Sequence, residues 1–213
     1  MVTPVGYAID TYLKTRGLDQ LVADFFQNPA FSGHLFNGIA NNPSGVFTDG
    51  DFVAVGTLGW PINSETYRRL VINGQCDQLL QAIPPKLPIW SATTQELADA
   101  KELIKALKTL PGLGSTYASK FGARKRPMLF PIIDKHILRA LKTTDASYVE
   151  DFAFALGDAA LRAEIDKLQP PSGSSSPIHT LRLLDVALWM GGSAGRAAQR
   201  ARGQILGSPC QLY

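Results

Sequence analysis

Cysteine and histidine are scarce, with two and three residues respectively in a chain of 213. Cys76 and Cys210 have no metal-ligand spacing and cannot hold an iron–sulfur cluster by themselves. They read as free thiols in a reducing compartment, not as a staple. His34, His136 and His179 assemble into neither a metal cluster nor a Ser–His–Asp pattern, so no bound metal is expected. Long apolar runs are missing too. The stretch Leu183–Met190 is too short for a bilayer and is interrupted by Asp185, which argues against a membrane partner. The first residues lack a basic-then-apolar signal pattern, Asp10 and Lys14 interrupting it, so a cytoplasmic (bacterial cytosol or nucleoid) protein is expected. No internal repeat is visible, and no alternating strand pattern is strong enough to set the class.

What is present is a hydrophobic fraction of 45% against 18% charged residues. That composition excludes a disordered chain and supports one large domain or two small lobes. The expected fold is all-α and two-lobed, 1–213 being treated as a single domain. Residues from about Val5 to Phe26 are expected to be helical, with Leu13, Leu21, Val22 and Phe25 as the apolar face. A Gly/Asn/Pro-rich loop with short helical turns follows to Gly50. Thr48 and Asp51 mark the start of a capped helix, with Val53–Val55 read as helix before strand. Helices follow from Ser64 to about Ile72 and from Cys76 to Ile83. Thr93-Thr94-Gln95-Glu96 is a capping box that opens an amphipathic helix bearing Leu97, Ala100, Ile104 and Leu107. Later helices are expected over Tyr148–Leu156, Ala159–Leu168 and Ile178–Met190, the last stopped by Gly191-Gly192. A flexible connector is expected at about 169–177 and a disordered tail at about 193–213.

Charge is unevenly distributed. Between Lys101 and Lys142 lie ten Lys or Arg and two acids, a net +8, so the rest of the chain carries −5 of the overall +3. A basic third on an otherwise acidic chain is the footprint of a nucleic-acid-facing surface. Lys101, Lys105 and Lys108 read as a solvated helix face. The run Arg124-Lys125-Arg126 reads as a DNA-backbone contact. Within this segment, Leu110-Pro111-Gly112-Leu113-Gly114-Ser115 joins two helices in a hairpin at about 94–122. Gly112 and Gly114 give backbone freedom for a tight reversal, and Leu113 can insert between the helices. The amides of Gly112, Leu113, Gly114, Ser115 and Thr116 then sit at a helix N-terminus, where free N–H groups and the dipole favour an anion. A phosphodiester fits that site and would fix register without reading sequence.

Asp134 is the sole acid between Glu102 and Asp145. It precedes Ile137, Leu138 and Leu141, which form an apolar helical face, so an N-cap role accounts for it. A carboxylate fixed there could also stabilise a cationic sugar or activate water beside DNA with an extruded base.

The string Leu110-Pro-Gly-Leu-Gly, Ala118-Ser119, Phe121 and Pro131-Ile-Ile-Asp134-Lys-His-Ile-Leu-Arg139 resembles the helix–hairpin–helix DNA glycosylase superfamily, nearest its archaeal-type 8-oxoguanine glycosylases. The stretch Leu183–Trp189 resembles a late helix of that group. Residues Ala118–Met128 also resemble an actinobacterial domain-of-unknown-function group. The glycosylase resemblance implies Asp134 as catalytic carboxylate and Gly112 and Gly114 as the phosphate-binding hairpin. It further implies a monovalent cation that hairpin carbonyls could hold, with no other cofactor. Bifunctional members carry a lysine where this chain has Thr116. Lys120, one turn further on, reads as a phosphate contact before a nucleophile, so a monofunctional reaction is expected. Trp60, Trp90 and Trp189 are candidates for base stacking, each also a candidate core residue. The resulting expectation is a monomer that acts on double-stranded DNA as a glycosylase. The alternatives are a DNA-binding relative without the chemistry and a module for an acidic partner.

Overall fold

The computed structural model describes residues 3–39, 44–59, 63–170, 178–208, 210 and 212. Among these there are thirteen α-helices and no strand, so the chain is all-α. In chain order they are α1 (Pro4–Leu13), α2 (Leu18–Gln27), α3 (Gly33–Gly38), α4 (Asp49–Thr57), α5 (Ser64–Tyr67) and α6 (Asp77–Gln81). There follow α7 (Thr94–Lys108), α8 (Ser115–Lys125), α9 (Lys135–Ala140), α10 (Tyr148–Ala155), α11 (Ala159–Asp166), α12 (Thr180–Gly192) and α13 (Arg196–Leu206). A π-helical turn, Arg68–Ile72, continues α5. None of the described helices is long and apolar enough to cross a membrane. The chain divides into two compact units, Met1–Ser32 with Ile133–Tyr213, and Gly33–Ile132.

The first unit is built on α12, which is apolar nearly all round. Leu181, Leu183, Leu184, Val186, Ala187, Leu188 and Met190 are all buried. Each such side chain contributes about 1.5–3 kcal/mol when taken out of water. The helix packs on α2 and α9. Its Asp185 is tolerated because Arg182 lies 3.2 Å away, one turn earlier. Three sequence expectations change here. The helical stretch expected from Val5 to Phe26 is divided into two helices, because Gly17 sits at φ 77° between them. A Cβ there would come within 2.8 Å of Leu206, so the break also makes room for α13. Gly191 and Gly192 continue α12 instead of stopping it. A Cβ at Gly191 would lie 1.5 Å from the Tyr12 hydroxyl, which donates to the Ala187 carbonyl at 2.8 Å. The glycine thus lets α1 approach. Finally, the tail expected to be disordered contains α13. Its Arg202 is fully buried and donates to the carbonyls of Met190 (2.5 Å) and Ser193 (2.7 Å), closing the C-terminal end of α12. Most of the expected connector, 171–177, lies outside the described residues; its flank Gln169 exchanges side-chain hydrogen bonds with the backbone of Ile178.

The second unit is organised around α8. Phe121 on its inner face meets Phe47 and Phe52 at ring-centroid distances of 6.0 and 5.3 Å. Gly122 lies against the Phe130 ring, where a Cβ would come within 2.8 Å. Both expected capping boxes are present. Thr48 pairs with Asp51 at the head of α4, and Thr93 with Glu96 at the head of α7. Each satisfies first-turn amides that would otherwise lack partners.

Candidate nucleic-acid-binding turn and the carboxylate Asp134

Helices α7 and α8 pack on one another and are joined by the turn 109–114. Leu110 and Leu113 are buried, so the turn is anchored by two apolar side chains. Gly112 takes the left-handed conformation, φ 74°, which an L side chain enters at a cost of roughly 1–2 kcal/mol. Leu113 N–H donates to Leu110 at 3.1 Å, and the Tyr117 and Ala118 amides donate to Gly114 at 3.1 and 3.0 Å. Among the described residues, the amides of Gly112, Gly114, Ser115 and Thr116 have no acceptor. Gly114 is the N-cap of α8 and supplies no side-chain cap. Gly112 and Gly114 are exposed, and Ser115 and Thr116 are half-buried. Four unmet donors at the head of an eleven-residue helix form a surface of positive potential without a charged side chain.

The turn is braced by Thr66 and Tyr117, which no sequence motif singles out, and by Lys120, the residue expected at a phosphate. Thr66 at the end of α5 donates its hydroxyl to the Pro111 carbonyl. Tyr117 and Lys120, on the first turns of α8, donate to the carbonyls of Gly59 (3.2 Å) and Leu58 (3.0 Å). Lys120 therefore closes the C-terminal end of α4, and its ammonium also lies 4.8 Å from the centre of the Tyr117 ring. No local motif signals these contacts, since the partners are 45 to 62 residues apart. Of the turn carbonyls, those of Leu110, Pro111 and Gly114 already accept hydrogen bonds. Among the described residues the carbonyls of Thr109, Gly112 and Leu113 accept no hydrogen bond.

The basic run is the main correction. Arg124-Lys125-Arg126 does not face outward. Arg126 is 2% exposed and donates to the carbonyls of Leu80 (2.6 Å), Ile83 (2.9 Å), Ser44 (2.6 Å) and Lys125 (3.0 Å). Two of those carbonyls belong to the end of α6 and the turn after it. Burial without a carboxylate pushes the Arg126 pKa down from its ordinary value. Lys125 and Arg124 share one buried carboxylate, Asp51, at 2.8 and 3.2 Å. Arg124 also donates to the carbonyls of Phe36 and Ile39. These three cations hold the unit together and are withdrawn from any DNA surface. Lys101, Lys105 and Lys108 on α7 remain exposed, as do Lys135, Arg139 and Lys142.

Asp134 belongs to the other unit, just past the point where the chain leaves Ile132. It is the N-cap of α9. Its Oδ1 accepts from the amides of His136 (2.8 Å) and Ile137 (2.9 Å). Those two bonds fix the carboxylate, and Oδ2 accepts nothing among the described residues. The side chain is half-buried.

The tryptophans divide. Trp189 stands edge-on to Phe25 and Phe31 at 5.7 and 6.1 Å, inside an aromatic cluster of the first unit. Trp90 is half-buried in the short 3-10 turn Ile89–Ser91. Trp60 lies outside the described residues. No group of three or more His, Cys, Asp or Glu able to hold a metal occurs among the described residues.

A model of a family of unknown function (DUF6308) matches residues 7–192. No curated protein and no solved structure matches the chain.

Proposed function

We propose that the chain, which belongs to this family of unknown function, binds the sugar–phosphate backbone of duplex DNA and hydrolyses the N-glycosidic bond of a damaged or modified base. The observation that carries the binding step is the set of open amides from Gly112 to Thr116 at the head of α8. Amide donors at a helix N-terminus suit a phosphodiester oxygen and are indifferent to base sequence. That is the kind of contact an enzyme needs when it surveys duplex for a lesion. The turn and Asp134 also carry the resemblance to the helix–hairpin–helix glycosylases.

In the reaction, the bond between C1′ and the base nitrogen breaks and its electron pair leaves with the base. Positive charge develops on the sugar. Water adds to C1′ and loses its proton to Asp134, whose Oδ1 stays on the α9 amides while Oδ2 is available. A Schiff base is absent from this scheme. Thr116 stands at the position where bifunctional relatives in the resembled superfamily carry lysine, and Lys120 is engaged with Leu58.

A second reading is a DNA-binding protein without the chemistry. The N-cap role of Asp134 favours it, because that role explains the residue in full. The two readings share a test. Duplex binding that strengthens as ionic strength falls is expected, and no binding at low salt removes both. Incubation with duplexes carrying a panel of damaged bases, followed by alkali, separates them. Strand breaks at one lesion, lost in Asp134→Asn, support the glycosylase. Asparagine caps a helix about as well as aspartate, so this variant keeps the fold. Activity unaffected by Asp134→Asn overturns the mechanism, and a borohydride-trapped adduct overturns its lysine independence.

A further inference from the structure

A groove of about 540 Å³ lies on the first unit between α1, α10 and α11. Two of its lining residues are aromatic rings left in solvent, Tyr7 at 67% and Phe154 at 64% exposure. Single exposed aromatics are ordinary, but two on the walls of one groove form an apolar platform. Three carboxylates share the lining, those of Asp10, Asp158 and Glu164, and no Lys or Arg does. Asp10 and Glu164 pair with Lys14 and Lys167, in exposed pairs within single helices that contribute little and exchange readily. Asp158 uses one oxygen on the amides of Ala160 and Leu161. Aromatic faces with carboxylates beside them suit a guanidinium, which stacks on the rings and pairs with the acids.

The same unit carries a matching surface. The outer face of α13 presents Arg196 and Arg200, one turn apart, with Gln199 and Gln204. Neither arginine makes an ion pair among the described residues, and α13 contains no acid. We propose that the groove receives the α13 arginine face of a second copy of this chain. The two surfaces differ, so the contact is head-to-tail and propagates into open chains unless a ring closes. This inference is independent of the DNA reading and is tested without DNA.

Sedimentation velocity of the full chain at low ionic strength is expected to show an average mass that rises with concentration. In 1 M salt, where the screening length is about 3 Å, it should fall to the monomer value. Phe154→Ala should weaken association about tenfold by removing a stacking face, whereas Tyr7→Phe, which keeps the ring, should leave it unchanged. Glu164→Lys alone and Arg200→Glu alone should each be monomeric. Mixed in equal amounts they should associate again in alternating order, because the Glu164→Lys groove meets the Arg200→Glu helix and the two unaltered surfaces meet each other. A wild-type monomer at every concentration in low salt overturns the proposal. So does self-association that survives either charge reversal, or a mixture that fails to pair.

Discussion

The two ends of helix α8 handle positive charge in opposite ways. At its N-terminal end the turn from Gly112 to Thr116 exposes unmet amides with no charged side chain among them. At its C-terminal end Arg124, Lys125 and Arg126 carry three full charges, all drawn inward. Counting charges along the chain favours the C-terminal end as the nucleic-acid contact. Burial reverses that ranking. A guanidinium buried among carbonyls makes no contribution to an external field comparable with that of an exposed one, whereas open amides at a helix head act over a few ångströms on whatever approaches. Cations also suit the negative end of a helix dipole, so the fold alone accounts for the run.

The largest effect expected from breaking this contrast is at Arg126. Arg126→Met leaves the carbonyls of Leu80, Ile83 and Ser44 without their donor, each costing about 1–3 kcal/mol when buried. A loss of about 4–5 kcal/mol is expected, read as a fall in the denaturant midpoint with unchanged slope. Next is Asp51→Asn, which leaves the Lys125 ammonium buried without its carboxylate. Breaking a buried pair from one side costs about 3–5 kcal/mol. The low end is expected, because Arg124 keeps the carbonyls of Phe36 and Ile39. In both variants DNA affinity per folded molecule should be unchanged at a temperature where the fold survives. A selective loss of DNA binding in either one would return the basic run to the surface and reverse the comparison.

Local signals in the sequence were legible and distant ones were not. The Thr48–Asp51 and Thr93–Glu96 boxes, the Asp134 cap and the Gly112 turn all depend on residues within four positions of one another. Asp51 shows the limit. Its capping role lies three residues from Thr48, but its ion pairs reach 73 and 74 residues along the chain to Arg124 and Lys125. Nothing near the basic run announces that partner. Gly191 and Arg202 fail for the same reason. A glycine pair after an apolar stretch is a helix stop by local rules, and only the Tyr12 hydroxyl packed against it explains its place inside α12. An arginine-rich tail looks solvated until Met190 and Ser193 supply buried carbonyls for one of its members.

The smallest structural effects, and the sharpest test of the open end of α8, come from its two glycines. Gly112→Ala forces an alanine into φ 74° and should cost about 1–2 kcal/mol in stability. Gly114 differs: its φ of −81° and ψ of 178° suit any residue, and a Cβ there would meet nothing within 4 Å. Gly114→Ala should therefore cost only about 0.5 kcal/mol, the difference between glycine and alanine as an N-cap. The fold gives no packing reason for glycine at 114. If a phosphate approaches these amides, the added methyl stands in its path. Duplex affinity should then fall about tenfold, equivalent to about one hydrogen bond to a charged group. The salt dependence should stay nearly constant, because no cation is removed. Equal affinity for wild type and Gly114→Ala at low salt would mean that DNA does not reach the head of α8, and the contrast between the two ends would then be one of burial alone.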